Sequence, residues 1–235
     1  RLAFNTMAVK EEKGEQVVEN VEVALEKTGD FFEKHKSIII TVVAIIVLLV
    51  IGYFGYKYLY LAPKEKNAAK EMFYAQRYFE MDSTENALNG NGQHLGFLEI
   101  ADTYGSTKSG KLAHYYSGLI YLHQGNFQEA VNHIEKFTSK DPVLYILSRQ
   151  ALGDAYWELG QTDKALAAYK QGAEKYSNDI LTPSIMNRMV SLYESMQQYD
   201  MAVNVCHELR NRYPMSNEAR NMDMQIARLQ AKAGK

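Results

Sequence analysis

Between Ser37 and Tyr56 no side chain is charged at neutral pH, and from Ile38 to Ile51 only Thr41 and Ala44 interrupt a run of large apolar residues. Crossing ~30 Å of hydrocarbon takes about 20 helical residues at ~1.5 Å each, so this window predicts a membrane-spanning helix. The aromatic residues Tyr53, Phe54, Tyr56, Tyr58 and Tyr60 crowd its far end, where amphipathic rings favour the headgroup zone. Pro63 is expected to end the continuous helix. Upstream, Val17, Val18, Val21, Ala24, Leu25, Thr28 and Phe32 recur at helical spacing, while Glu15, Glu19, Glu22, Glu26 and Glu33 take the other side. That pattern predicts an amphipathic tail helix with an acidic polar face, suited to a partner helix or to self-association rather than to anionic lipid. Met7 is a candidate start, and the residues before it carry no pattern.

After Pro63 the pattern changes to a repeat. A tyrosine precedes an alanine by nine positions four times, at Tyr78 and Ala87, Tyr121 and Ala130, Tyr156 and Ala165, and Tyr193 and Ala202. A period of ~34 residues with two helices per unit is the signature of a tetratricopeptide repeat (TPR). Gly118, Tyr121, Gly125, Ala130, Ile134 and Pro142 take that repeat's small, aromatic, turn, small, bulky and terminal-proline positions. Leu152, Gly153, Tyr156, Gly160, Ala165 and Tyr169 repeat the order, and a divergent copy keeps Tyr193, Ala202 and Pro214 but carries Val190 and Gln197 where glycines are usual. Small residues let two antiparallel helices approach, the tyrosine fills the space between them, and glycine makes the turn. A first unit around Tyr78 is interrupted at Asn89-Gly90-Asn91-Gly92, a loop signal.

The expected fold is therefore all-α. It has a tail over 1–36, a span over 37–60, and a TPR α-solenoid over 64–235 with repeats near 65–106, 111–142, 146–178 and 183–214. A capping helix is expected over 217–232, with Ala219, Met222, Ile226 and Leu229 on one face.

Composition adjusts this picture modestly. A mean hydropathy of -0.34 and a net charge of -2 describe an ordinary soluble chain, an average that conceals one strongly apolar window. With 26 basic and 28 acidic residues there is no electrostatic footprint for nucleic acid. Charge does not orient the span: Lys27, Lys34 and Lys36 precede it, and Lys57, Lys64, Lys66 and Lys70 follow. His114, His123 and His133 lie nine and ten residues apart, off any single helical face, and no Cys or carboxylate completes a metal-ligand pattern. The single Cys206 sits at a bulky, buried repeat position. The sequence shows no catalytic constellation, so neither enzymatic activity, cofactor nor metal is expected.

The likeness to TPRs implies a binding surface. In that repeat the first helices line a concave face, and the inward positions fall on Tyr115, Leu119 and Leu122, then Gln150, Asp154 and Trp157, then Asn187, Ser191 and Glu194. Trp157 either meets a partner there or packs between neighbouring repeats. The grading from apolar to polar suits an extended protein segment.

The tail, the span, the Tyr60-to-Pro63 exit and the Gly118-to-Ala130 and Gly153-to-Ala165 cores together resemble the YfgM-like family of anchored envelope proteins. The resemblance implies a single-pass bacterial inner-membrane protein with a cytoplasmic tail and periplasmic repeats. Its partners would be the SecYEG translocon and a membrane-anchored prolyl-isomerase-type chaperone. The alternative is a self-associating assembly protein that organises an envelope complex.

Overall fold

The computed structural model describes residues 34–234, so the predicted tail helix lies outside the described residues. The chain divides into two units, Arg1–Tyr60 and Leu61–Lys235. In the first, α1 occupies residues 34–55. Apart from the half-buried Ile39, its apolar side chains from Ile38 to Ile51 are exposed, and it is long and apolar enough to cross a membrane.

Helical backbone persists from Lys34 to Glu80, so Pro63 does not end the helix as expected. The turn Tyr56–Leu61 is a π-helix, and α2 (Ala62–Glu80) follows with the proline in its first turn. Proline in an α-helix leaves the carbonyl four residues back without a donor and its ring clashes with it. A widened turn immediately upstream relieves both effects.

The second unit continues with α3 (Thr84–Asn89), α4 (Phe97–Tyr104), α5 (Lys108–His123), α6 (Phe127–Ile134), α7 (Pro142–Glu158), α8 (Thr162–Lys175), α9 (Leu181–Ser195), α10 (Tyr199–Arg212) and α11 (Met222–Lys232), the last preceded by a 3-10 turn at Glu218–Asn221. Among the described residues the only β feature is an isolated bridge between Gly90 and Leu95. The fold is an all-helical solenoid of stacked hairpins.

Each hairpin turns in the same way. The backbone N–H groups of Ser83, Asn126, Gln161 and Gln198 donate to the carbonyls of Tyr78, Tyr121, Tyr156 and Tyr193 at 2.8 to 2.9 Å. This is the closing bond of a Schellman turn, which needs one left-handed residue. Gly125 (φ 77°) and Gly160 (φ 71°) supply it in two turns, and Asp82 (φ 58°) and Gln197 (φ 59°) in the other two. The repeated tyrosine thus marks the carbonyl that closes the turn as well as a packing position.

Close approach explains the helical glycines. A Cβ on Gly118 would lie 2.4 Å from Ile134 Cγ1, and one on Gly153 would lie 2.3 Å from the Tyr169 ring. The four alanines of the repeat, Ala87, Ala130, Ala165 and Ala202, are all fully buried. One apolar core runs from α6 to α11 and a second joins α2 through α5, with Tyr121 packed against both.

The first unit of the stack departs from the others at its second helix. Gly90 (φ 82°) breaks that helix into α3 and α4. The loop is held by Asn91 Nδ2 donating to Tyr78 Oη (2.7 Å) and by the Leu95 N–H donating to Glu71 (3.1 Å).

Candidate protein-binding cleft

The aligned helices α5, α7 and α9 place side chains from three successive repeats around one cleft of about 440 Å³. Leu122 and His123 come from the end of α5, Phe127 from the start of α6, Asp154, Trp157 and Glu158 from α7, and Arg188 from α9. The wall is apolar and aromatic where Leu122, Phe127 and Trp157 meet, and charged where α7 faces α9. Trp157 is half-buried and also packs against the main core, so its two sequence readings coexist in one side chain.

Asp154 organises the charged side. A single carboxylate oxygen accepts from the Tyr169 hydroxyl (2.6 Å) and from Arg188 Nη1 (2.9 Å). Burial pushes the Asp154 carboxyl up from its ordinary range, while the bonds from Tyr169 and Arg188 pull the other way. Burial likewise raises the Tyr169 hydroxyl, reinforced by the neighbouring Asp154 charge, so it stays a donor. The Arg188 side chain remains 41% exposed, which leaves a planar guanidinium on the cleft wall, suited to carboxylates and peptide carbonyls.

Of the nine positions expected on the concave face, the structure brings Leu122, Asp154 and Trp157 together on this cleft. Leu119 packs against the main core, and Gln150, Asn187 and Ser191 are half-buried, with Ser191 Oγ donating to the Asn187 carbonyl at 3.2 Å. Two expectations require correction. Tyr115 does not line the cleft: it is 6% exposed, with its ring against Phe137 and Tyr116, and burial pushes its hydroxyl up to about 12. Glu194 is not free to meet a partner, because Arg228 (2.6 and 2.7 Å) and Lys232 (2.7 Å) of α11 hold its carboxylate. These bonds bring Glu194 down to about 2.

Three cleft residues missed in the sequence are direct neighbours of named ones. His123, Glu158 and Arg188 each follow a named position, Leu122, Trp157 and Asn187. One residue is a ~100° rotation on a helix, so the cleft wall is wider than the single face the spacing named, taking in both Leu122 and His123 and both Trp157 and Glu158. Phe127, the remaining missed residue, begins the second helix and escapes any search restricted to first helices.

The histidine pattern also resolves in three dimensions. His114 of α5 and His133 of α6 meet with their Nδ1 atoms 3.1 Å apart, a pairing across helices that spacing along one helix cannot show. Burial lowers both, with His133 and Lys136 adding to the effect at His114, which falls to about 4. Cys206 is buried in the core, and burial pushes its thiol up to about 11, the state of an inert packing residue. Among the described residues no cluster of three or more potential ligands could hold a metal ion.

Comparison with known proteins bears on the repeats directly. Models of the tetratricopeptide repeat match residues 112–142, the hairpin α5–α6, and residues 148–174 within α7–α8. Among solved structures, the kinesin light chain TPR-like repeats of Podosopora anserina superpose with a TM-score of 0.55 at 16% identity, covering 72% of this chain and 88% of that one. A point-substituted form of the same repeats gives equal values. At that identity the likeness is one of fold. No curated protein matches the chain significantly.

Proposed function

Starting from the tetratricopeptide repeats that carry the cleft, we propose that this chain is a membrane-anchored scaffold that holds an extended segment of another protein between α5, α7 and α9. The observation that carries the reading is the cleft, in which Trp157, Phe127 and Leu122 form an apolar socket beside the Asp154–Arg188 pair. Aromatic and arginine side chains are the residue types that dominate protein interfaces, and TPR domains generally bind proteins.

In this reading α1 spans the bilayer, since its apolar surface has no protein covering among the described residues. A core helix of that composition would be mostly buried. Anchoring confines the cleft to the membrane surface and raises its effective concentration toward partners there. No turnover is required. The resemblance to YfgM-like proteins supplies the finer proposal: an inner-membrane anchor with periplasmic repeats, acting beside the SecYEG translocon and a prolyl-isomerase-type chaperone on exported proteins.

The test is in-cell photocrosslinking from Trp157 and Phe127 in the full-length chain. Translocon or chaperone subunits captured from both positions, and lost when Arg188 is replaced by Glu, are the expected result. Crosslinks confined to other copies of the chain would replace the scaffold with the self-associating assembly protein.

A further inference from the structure

A second cavity lies away from the cleft just described, on the edge of the repeats where α5 and α7 begin. It has a volume of about 590 Å³. Leu112, Phe137 and Leu144 form an apolar lining, and Lys108, Lys111 and Lys140 also line it. Among the described residues none of these lysines forms an ion pair. The one carboxylate in the lining, Asp141, accepts from the Leu144 N–H at 2.9 Å as the cap of α7.

The cavity is tied to the point where the chain enters this unit. Glu65 of α2 accepts from the backbone N–H groups of Lys108 (2.6 Å) and Ser109 (3.2 Å), and from the Ser109 hydroxyl (2.6 Å). Lys108 and Ser109 line the cavity themselves. The same edge of the stack continues through neighbouring loops: Tyr145 of α7 meets Tyr176 with centroids 5.4 Å apart, and Ser177 meets Tyr213 at 3.1 Å. The tips of those two loops expose Ile180 (81%) and Met215 (91%).

Unpaired lysines, an apolar lining and bare loop tips along one edge of the repeats form one amphipathic surface. We propose that this cavity binds the headgroup of an anionic phospholipid from the membrane that α1 spans. The inference rests on the anchored reading of α1. The lysines hold the phosphate, and the apolar lining takes the first methylenes of an acyl chain. Anionic surfaces attract lysines, and a tethered domain meets the surface of its own membrane at high effective concentration.

The experiment uses the full-length chain in vesicles and in detergent. Resistance to alkaline extraction from vesicles tests the anchor separately; a chain that washes off would end the anchored reading and this inference with it. For a chain that stays, native mass spectrometry in detergent compares retention of phosphatidylglycerol with phosphatidylcholine. We expect a preference of about tenfold for the anionic lipid, falling to near unity in Lys108→Gln/Lys111→Gln/Lys140→Gln and surviving in the triple Lys→Arg variant. Equal retention of both lipids, or an unchanged preference in the Gln variant, would overturn the proposal. Equal competition by inorganic phosphate would reduce the cavity to a phosphate site, and displacement of the lipid by an acidic peptide would make it a second protein-binding cleft. Either result would overturn the lipid assignment.

Discussion

In the hairpin α7–α8 the glycine Gly153 lies under the ring of Tyr169, whereas α9–α10 carries Val190 and Cys206 at the equivalent positions, both fully buried. Hairpin α5–α6 follows the first solution with Gly118 under Ile134. One interhelical space is filled from the second helix in two hairpins and more evenly from both helices in the third. The volume is constrained jointly, and neither position alone defines it, which is the behaviour of a close-packed interior. The turns differ in parallel: glycine supplies the left-handed residue in α5–α6 and α7–α8, and Gln197 supplies it in α9–α10.

The strongest way to break this comparison is to move one member of a pair without the other. Gly153→Val forces a side chain into the Tyr169 ring and is expected to cost about 3 kcal/mol, while Val190→Gly opens a cavity and loosens α9 at a cost of about 3 kcal/mol. Transplanting the whole pair, Gly153→Val with Tyr169→Cys, should cost less than the sum of its single changes by about 1–2 kcal/mol. Urea denaturation of the four species measures the coupling. Strict additivity would show that the two positions do not share one space.

The turns sharpen the comparison at a smaller scale. Gly160→Ala should lose about 1 kcal/mol, because a Cβ disfavours φ near 71°. Gln197→Gly should gain about 0.5–1 kcal/mol by removing the same penalty. Opposite signs in thermal melts are the diagnostic; equal signs would mean that neighbouring contacts, rather than backbone strain, decide the turn.

The smallest effect is one of pH. The His114 and His133 positions of α5–α6 correspond to Met186 and Val205 in α9–α10, so only the former hairpin carries this titrating pair. Around the pair, Lys136 opposes protonation of both rings, Asp102 favours it at His114 and Glu129 favours it at His133. A histidine lowered to about 4 from 6.5 binds its proton later in the folded chain than in the unfolded one. Stability is therefore unaffected above pH 6.5, falls as pH drops through the window from 6.5 to about 4, and levels off below it. Hydrogen exchange should find α5–α6 opening more readily at about pH 5 than at about pH 7, with α9–α10 unchanged across this window. His114→Met with His133→Val should abolish the difference.

The amino-acid pattern was enough to find the four tyrosine–alanine units, the apolar helix and the buried place of Cys206, because these depend on spacing along single helices and on burial. It also reached Leu122, Asp154 and Trp157 of the cleft. The burial of Tyr115 against Phe137, the capture of Glu194 by α11, the His114–His133 contact and the places of His123, Glu158 and Arg188 on the cleft wall belonged to the tertiary structure alone. Each depends on how one helix is rotated and seated against another. Helical period is encoded locally, whereas the rotation of a helix about its own axis is set by the volumes of side chains from neighbouring repeats, and one residue of rotation is enough to exchange a buried position for one on the cleft wall.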